Sequence, residues 1–325
     1  MFIPRSSPSE EMKSSAANAD DEIEFEFLPF LRLYRSGRVE RFAGTEKVPA
    51  TLDPLTGVDS KDVTIDPSTG VSARLYLPPG IDEDEKLPVL VYIHGGAFCI
   101  ESAASPLYHR HLNDLASHTP LVAVSVEYRL APEHPLPIAY EDAWAAFRWV
   151  FTLADPWLAR HGDTRRVFLA GDSAGANISH QVALRVAAEG LAIKGMALIH
   201  SYFGGSAPVG SESTDPRERA EGYRIWQFLC PDLAGPDDPR RNPVSDTAPS
   251  LALLGCERVL VTVAEHDLFK ERGKLYYEKL KESGWRGEAE MVETPEANHI
   301  FHLLNPDGEQ GKTKLKLLVN FFQKE

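Results

Sequence analysis

A serine between two glycines is the residue of this chain whose type and spacing most clearly indicate chemistry. Ser173 stands in Gly171-Asp-Ser-Ala-Gly175, after the apolar run 167–170 and before a segment of helical periodicity. This pattern is typical of a sharp strand-to-helix turn that presents a nucleophilic serine. The helix that begins here directs its free N–H groups and positive dipole end toward an oxyanion forming beside the serine. The sequence therefore predicts that Ser173 is a nucleophile.

A serine nucleophile needs a base and an acid that orients the base. Asp267 follows the apolar run 259–263, and His299 lies in a loop after the last short strand that we expect. Glu265 is the alternative acid, and His302, three residues further on, is the alternative base. The order Ser, Asp, His is that of the α/β-hydrolases. We interpret the other polar candidates as structural or surface groups: His180, His200, His266, Asp142, Asp172 and Glu133.

The sequence His94-Gly95-Gly96-Ala97 follows another apolar run and supplies candidate oxyanion donors. It matches a motif of the His-Gly-Gly-Gly type whose backbone N–H groups bind an oxyanion, with alanine in place of the last glycine. We expect the N–H groups of Gly95, Gly96 and Ala174 to converge on one oxygen. Loss of one such donor typically lowers kcat by about 10²–10³.

These residues need an α/β framework that brings the ends of several strands together. Apolar runs alternate with helical periodicity along the chain, which predicts a mostly parallel sheet with helices on both faces. Segments 61–66 and 71–77 are predicted to form a hairpin. In such sheets a ligand binds at the carboxyl ends of the strands. We expect a disordered segment at 1–22 and a single domain at 23–325.

Two segments interrupt this alternation. The apolar arm that starts at residue 23 precedes the domain, and we expect it either to cover something or to pair with a sheet edge. The segment from 204 to about 254 is rich in Gly, Pro, Asp and Arg and holds one short predicted helix around 223–230. A long insertion of this kind in a compact domain is often a lid.

Composition excludes several classes of function. The chain has 325 residues and a formal net charge of −14, which disfavours a nucleic-acid partner. It has no apolar run long enough for a membrane span and no signal-peptide pattern. Its three cysteines, Cys99, Cys230 and Cys256, lack metal-site spacing and fit free thiols in a reducing compartment. We predict a cytoplasmic protein, with diffusion into the nucleus left open, as a monomer or a homodimer.

Three motifs in order resemble the plant carboxylesterases of the hormone-sensitive-lipase branch of the α/β-hydrolases. They are His-Gly-Gly-Ala-Phe at 94–98, Tyr-Arg-Leu-Ala-Pro-Glu at 128–133 and Gly-Asp-Ser-Ala-Gly-Ala-Asn at 171–177. Segments 33–41 and 267–273 also look like the plant members, so the resemblance runs from about residue 24 to the C-terminus. It implies an α/β-hydrolase fold with a cap at about 23–45 and 205–245. It also implies the same site residues: Ser173, Asp267, His299, Gly95, Gly96 and Ala174.

The function expected from these residues is a serine carboxylesterase that needs no metal or organic cofactor. Its substrate would be a small to medium apolar ester, because both cap segments carry large aromatic residues: Phe25, Phe27, Phe30, Trp226 and Phe228. Activity should fall as the pH drops through the pKa of the histidine base, which is about 6.5 for an unperturbed imidazole.

Two relatives in the same family give alternatives. The gibberellin receptors have lost the triad histidine, whereas this chain keeps His299, which argues against a pure receptor. The hydroxyisoflavanone dehydratases typically carry threonine at the nucleophile, where this chain has Ser173. Lyase, cyclase or transacylase chemistry of plant specialised metabolism on the same triad stays open.

Overall fold

The fold is built on one large sheet, with a small second sheet formed by the N-terminal arm. The structure, a computed structural model, describes residues 22–324. Except for its last residue, the predicted disordered segment 1–22 lies outside this range. The strands are β1 (Ile23–Phe27), β2 (Leu31–Tyr34), β3 (Val39–Arg41), β4 (Asp59–Asp66), β5 (Val71–Leu77), β6 (Leu87–Ile93), β7 (Val122–Glu127), β8 (Gly162–Asp172), β9 (Ile193–Ile199), β10 (Cys256–Ala264) and β11 (Glu288–Thr294).

Eight α-helices are found in the described range. They are α1 (Pro106–His118), α2 (Ile138–Val150), α3 (Pro156–His161), α4 (Ala174–Ala188), α5 (Pro216–Leu229), α6 (Lys270–Glu282), α7 (Phe301–Leu304) and α8 (Glu309–Gln323). The helix predicted around 223–230 is the second half of α5, which begins earlier than its apolar residues suggest. Helices α1 and α3 were not predicted from the sequence.

The large sheet has the spatial order β11-β10-β9-β8-β6-β7-β5-β4. Strands β6 to β11 are mutually parallel, whereas β5 pairs antiparallel with both β4 and β7. The predicted mostly parallel sheet and the predicted hairpin of β4 and β5 are thus confirmed. Because six strands run in one direction, their carboxyl ends form a single edge at which side chains from distant parts of the sequence can meet.

Continuous apolar runs form the central strands because helices cover both faces of the sheet. Along β6, Val89, Val91 and Ile93 belong to one buried cluster, and Leu90 and Tyr92 belong to the other. Helices α2, α4 and α6 contribute to the first cluster, and α1 and α8 to the second. The sheet is therefore a rigid middle layer that fixes where each strand ends.

The N-terminal arm forms its own antiparallel sheet, in the order β1-β2-β3. It does not pair with an edge of the eight-stranded sheet, which was one of the two expectations. Arg41, in β3, anchors it to the body. The guanidinium donates to the backbone oxygen of Cys99 at 2.7 Å and makes a two-pronged ion pair with Glu133. The carboxylate of Glu133 thus has a structural partner.

Candidate active site

Ser173 occupies a strained turn between β8 and α4. Its backbone angles are φ 52° and ψ −116°, a region that costs a non-glycine residue about 1–3 kcal/mol. The turn requires the two neighbouring glycines. A Cβ on Gly175 would overlap the carbonyl oxygen of Ile93, and one on Gly171 would overlap the backbone of Gly175. The G-x-S-x-G pattern therefore reflects close approach of α4 to β6, as well as the tight turn itself.

The end of β9 holds Ser173 in this conformation. The Ser173 N–H donates to the Ile199 oxygen at 2.8 Å, and the Tyr202 N–H donates to the Ser173 oxygen at 3.0 Å. The serine is 5% exposed, and it lines the cavity described below. One hydrogen bond with the end of β9 and one with the loop that follows it thus stabilise the strained backbone and leave the side chain open to a ligand.

Asp267 and His299 are brought together at the same edge of the sheet. The His299 Nδ1 lies 2.7 Å from the Asp267 Oδ2. The other carboxylate oxygen, Oδ1, accepts the Phe269 N–H at 2.9 Å. The Asp267 side chain is fully buried, whereas that of His299 is 28% exposed. This arrangement fixes the imidazole by its Nδ1 and leaves its Nε2 free to exchange a proton with a group in the cavity.

The alternative acid, Glu265, and the alternative base, His302, lie in environments that differ from those of Asp267 and His299. The Glu265 carboxylate accepts the backbone N–H of Glu296 at 2.8 Å, which braces the loop after β11. His302 is buried in α7, and neither of its ring nitrogens has a partner among residues 22–324. The geometry therefore favours the pairing of Asp267 with His299, which the sequence had placed first, over either competitor.

One of the three N–H groups expected to bind the oxyanion, that of Gly95, already has a hydrogen-bond partner in the structure. The Gly95 N–H donates to the Tyr108 hydroxyl at 2.8 Å, so it is already engaged inside the protein. Gly96 and Ala97 line the cavity, both with positive φ, and their N–H groups make no hydrogen bond to any residue that the structure describes. Ala174 is the first residue of α4, where an N–H has no intrahelical acceptor. The available donors are thus Gly96, Ala97 and Ala174.

Tyr108 was missed by the sequence reasoning because it lies in α1, which was not predicted. Its hydroxyl donates to the Asp172 Oδ2 at 2.9 Å, and Tyr92 donates to the Oδ1 at 3.0 Å. Burial raises the pKa of the Asp172 carboxyl to about 6, against the lowering effect of the two hydroxyls. Asp172 is therefore a structural group that holds Tyr108, and through it the backbone of Gly95, although Asp172 and Tyr108 also line the cavity.

His94 also has a structural role: it stabilises the loop that carries Gly96 and Ala97. It is completely buried, its ring stacks on Tyr128 at a centroid distance of 4.2 Å, and its Nδ1 lies 2.8 Å from the Gly95 oxygen. The Tyr128 hydroxyl donates to the same oxygen. Burial lowers the pKa of His94 to about 4, so the ring is neutral at physiological pH. These contacts fix the loop that carries Gly96 and Ala97.

One cavity of about 850 Å³ collects these groups. Ser173, Asp267 and His299 line it, together with residues of both segments that interrupt the α/β alternation. Its apolar lining includes the side chains of Phe27, Phe30, Tyr202, Ile225, Phe269 and Leu304. Of the five aromatic residues expected to shape the site, Phe27 and Phe30 line the cavity. Trp226 is instead fully buried in the core.

Candidate metal ligands approach one another at this edge but are already hydrogen-bonded. Ligand atoms of His200, Asp267 and His299 lie within 4.8 Å of one another. However, the His299 Nδ1 binds Asp267, and the His200 Nδ1 accepts the Ile300 N–H at 2.9 Å. A second group, Glu265, His266 and Glu296, is largely exposed. The first group is thus organised as a hydrogen-bonded network.

Comparison with known proteins agrees with this fold. Residues 90–303 match a family with the alpha/beta hydrolase fold. The chain is 47% identical to "Probable carboxylesterase 2" of Arabidopsis thaliana, over 92% of this chain and 96% of that protein. It is 47% identical to "Tuliposide A-converting enzyme 1, chloroplastic" of Tulipa gesneriana, over 100% of this chain and 85% of that protein. It is 46% identical to "2-hydroxyisoflavanone dehydratase" of Glycyrrhiza echinata, over 95% of this chain and 98% of that protein.

Solved structures give the same assignment. The esterase of Pyrobaculum calidifontis superimposes with a TM-score of 0.67 at 30% sequence identity, covering 81% of this chain and 84% of that one. Within residues 22–324, no helix combines the length and the apolar character needed to cross a bilayer.

The family match and the similarity to the curated relatives show that the protein is an enzyme of the α/β-hydrolase family. Within that family it belongs with the plant carboxylesterases that its three motifs resemble.

Proposed function

We propose that the protein is a serine carboxylesterase with Ser173 as nucleophile, His299 as base and Asp267 as the acid that orients the base. The observation that carries the proposal is the 2.7 Å contact between His299 and Asp267 at the cavity that Ser173 also lines. An ordered acid–base pair beside a serine on a strained turn is the arrangement that activates a hydroxyl for attack on a carbonyl.

The reaction follows from these positions. His299 takes the proton of the Ser173 hydroxyl through Nε2 while the oxygen attacks the ester carbonyl. Asp267 holds the proton on Nδ1 and stabilises the imidazolium. The N–H groups of Gly96, Ala97 and Ala174 bind the oxyanion of the tetrahedral intermediate. His299 then protonates the leaving alcohol, and a water molecule attacks the acyl-serine in the same manner to release the acid.

The cavity supports a small to medium apolar ester as substrate. Most of the surface that lines it is apolar, and its volume suits a small organic molecule. Segments 23–45 and 205–245 each contribute side chains to its wall, Phe27 and Phe30 from the first and Ile225 from the second. We propose that these two segments form a cap on a single domain at 23–325.

Release of p-nitrophenol from acyl esters of two to eight carbons, by wild type and Ser173→Ala, tests the proposal. Removing the nucleophile of a triad should lower kcat by about 10⁶. Ser179→Ala is the matched control, because Ser179 is buried on α4 and its hydroxyl donates to the Gly175 oxygen. A wild type that is folded and inert toward every ester, or a Ser173→Ala variant as active as wild type, contradicts the proposal.

The second candidate is a lyase that uses the same residues on a non-ester metabolite. The similarity to a protein named 2-hydroxyisoflavanone dehydratase, at 46% identity over almost the full length, favours it. Cyclase or transacylase chemistry would likewise use these groups. The products separate these reactions: ester hydrolysis in heavy-oxygen water labels the released acid, whereas a dehydration labels no product and releases water.

A gibberellin-receptor-like role as a binder is less favoured, because His299 is present and paired with Asp267. Cytoplasmic location, with diffusion into the nucleus left open, remains a prediction, and two relatives carry the word chloroplastic in their names. A monomer or homodimer that acts without a nucleic-acid partner also remains a prediction. Size-exclusion chromatography with light scattering and localisation of a fluorescent fusion test these two points.

A further inference from the structure

A second buried histidine stands directly behind the proposed catalytic base. His200 follows β9 with φ 50°, a backbone conformation that few non-glycine residues adopt, and it is 1% exposed. Its N–H donates to the Thr262 oxygen of β10 at 2.9 Å. The residue is thus locked to the strand that leads to Asp267, although its side chain takes no part in the mechanism above.

The side chain of His200 bonds the backbone immediately after His299. Its Nδ1 accepts the Ile300 N–H at 2.9 Å. Ile300 has φ 47°, which is strained for a β-branched residue. Because Nδ1 accepts this bond, the ring proton must lie on Nε2 and the ring must be neutral. Burial holds the pKa of His200 well below 6.5, so the acceptor persists while His299 exchanges protons.

Neighbouring rings fix the orientation of this imidazole. The centroids of His299, Phe301 and His302 lie 5.8, 5.4 and 5.6 Å from that of His200. These three ring contacts oppose rotation of the His200 imidazole away from the Ile300 N–H. The hydrogen bond between Ile300 and His200 therefore ties the loop that carries His299 to the ends of β9 and β10.

We propose that His200 is a positioning residue for His299. By holding the strained Ile300 backbone, it keeps the His299 imidazole in register with Asp267 and with the Ser173 hydroxyl. This inference rests on the proposed function, since it assigns His200 a role only if His299 is the base. A displacement of about 1 Å at a catalytic group can lower the rate by about 10²-fold.

Two substitutions at this position separate positioning from packing. His200→Gly tolerates the positive φ but removes the acceptor. His200→Asn also tolerates the positive φ, and its Oδ1 stands where Nδ1 stood, so it can accept the Ile300 N–H. We expect kcat to fall by about 10²-fold in His200→Gly with KM changed by less than about threefold, and to recover to within about fivefold of wild type in His200→Asn.

A matched control is available in the same core. His180, on α4, is as buried as His200 and also uses its Nδ1, 3.0 Å from the Tyr276 hydroxyl, but it does not contact His299. We expect His180→Asn to lower Tm while kcat stays close to that of wild type. If His200→Gly does not fold, His200→Gln replaces it, because its acceptor lies one bond further out.

The proposal is wrong if folded His200→Gly keeps the wild-type kcat, or if His200→Asn is as slow as His200→Gly. A failure of the esterase proposal is recognised separately, because wild type itself would then hydrolyse no ester. In that case the rate at which an alkyl fluorophosphonate modifies Ser173, which needs the base but no turnover, replaces kcat. Equal modification rates in wild type and His200→Gly would overturn the inference.

Discussion

The two walls of the cavity are built in different ways. The inner wall, formed by Ser173, Asp267, His299 and the Gly96–Ala97 turn, comes from the ends of parallel strands. Its groups are largely buried, and backbone hydrogen bonds from Ile199 of β9 and from the Phe269 N–H hold Ser173 and Asp267. The outer wall, formed by the arm β1–β3 and helix α5, is held mostly by side chains that are partly exposed. The inner wall is therefore suited to chemistry and the outer wall to choice of substrate.

The contacts of the outer wall illustrate the difference. Phe25 of β1 stacks on Phe228 of α5 with centroids 3.9 Å apart, and the Arg224 guanidinium lies 4.1 Å from the centroid of the Phe25 ring. Such contacts contribute about 1 kcal/mol each. We expect substitutions in the inner wall to change kcat by orders of magnitude, and substitutions in the outer wall to change KM by small factors.

After removal of the nucleophile itself, the largest effect should come from the acid of the inner wall. Asp267→Asn keeps the shape of the side chain but favours the wrong tautomer of His299, which should lower kcat by about 10⁴-fold. Glu265→Gln is the control, because the neutral amide oxygen can still accept the Glu296 N–H. Steady-state kinetics on one p-nitrophenyl ester measures both. Equal losses in the two variants would show that the assignment of the acid is wrong.

The second prediction concerns stability at the inner wall. The pKa of Asp172 is about 6 in the folded chain and 3.8 for an ordinary carboxyl, so between these values the folded state holds a proton that the unfolded state has lost. The contribution of Asp172 to the free energy of unfolding is greatest below about pH 4. It should fall by up to about 3 kcal/mol as the pH rises above 6.

Asp172→Asn removes this titration. The free energy of unfolding of wild type minus that of Asp172→Asn should therefore decrease as the pH rises from 4 to 7, and urea unfolding at several pH values measures it. The comparison isolates Asp172, since every other titrating group is common to both proteins. A difference that is constant with pH would show that Asp172 is ionised throughout.

The contrast between the walls also explains what could be predicted from sequence. The central strands and the Asp267–His299 pair were predictable, because a buried parallel strand is a continuous apolar run and its end is where a functional side chain belongs. Which N–H groups are free was not predictable. The Gly95 donor is taken by Tyr108, thirteen residues away in a helix whose apolar stripe is interrupted by histidine and asparagine.

The outer wall was predicted only as two unusual segments. Its sequence marks a break in the α/β alternation, but the contact between Phe25 and Phe228 joins residues about two hundred positions apart. Trp226 was expected in the site with them, yet it packs into the core against Phe98. Aromatic residues on one amphipathic helix can face either the core or a ligand, and only the tertiary structure decides between these.

The third prediction tests the outer wall. Phe25→Ala removes the stack on Phe228, which should loosen the arm that carries Phe27 and Phe30 and raise KM by about 2- to 12-fold, with little change in kcat. The effect should be larger for an eight-carbon acyl ester than for acetate, because the longer chain reaches the arm. Phe42→Ala, an exposed residue of the same arm that does not line the cavity, is the control. A large loss of kcat in Phe25→Ala would contradict the division between the walls.

The smallest expected effect comes from Arg224. Its guanidinium lies over the Phe25 ring and donates to the Glu26 backbone oxygen at 3.1 Å. Arg224→Met keeps the apolar stem but removes the charge and the donor. An exposed cation–π contact contributes about 0.5–1 kcal/mol, so KM should rise by about 2- to 5-fold.

Arg217→Met, on the first turn of the same helix, is the control for lost charge alone. The Arg224 contacts with Phe25 and Glu26 reach the arm, whereas its ion pair with Glu221 stays within α5. The Phe25→Ala and Arg224→Met effects should therefore not add in the double variant. Full additivity of the two effects on KM would mean that Phe25 and Arg224 act independently and do not jointly hold the arm against α5.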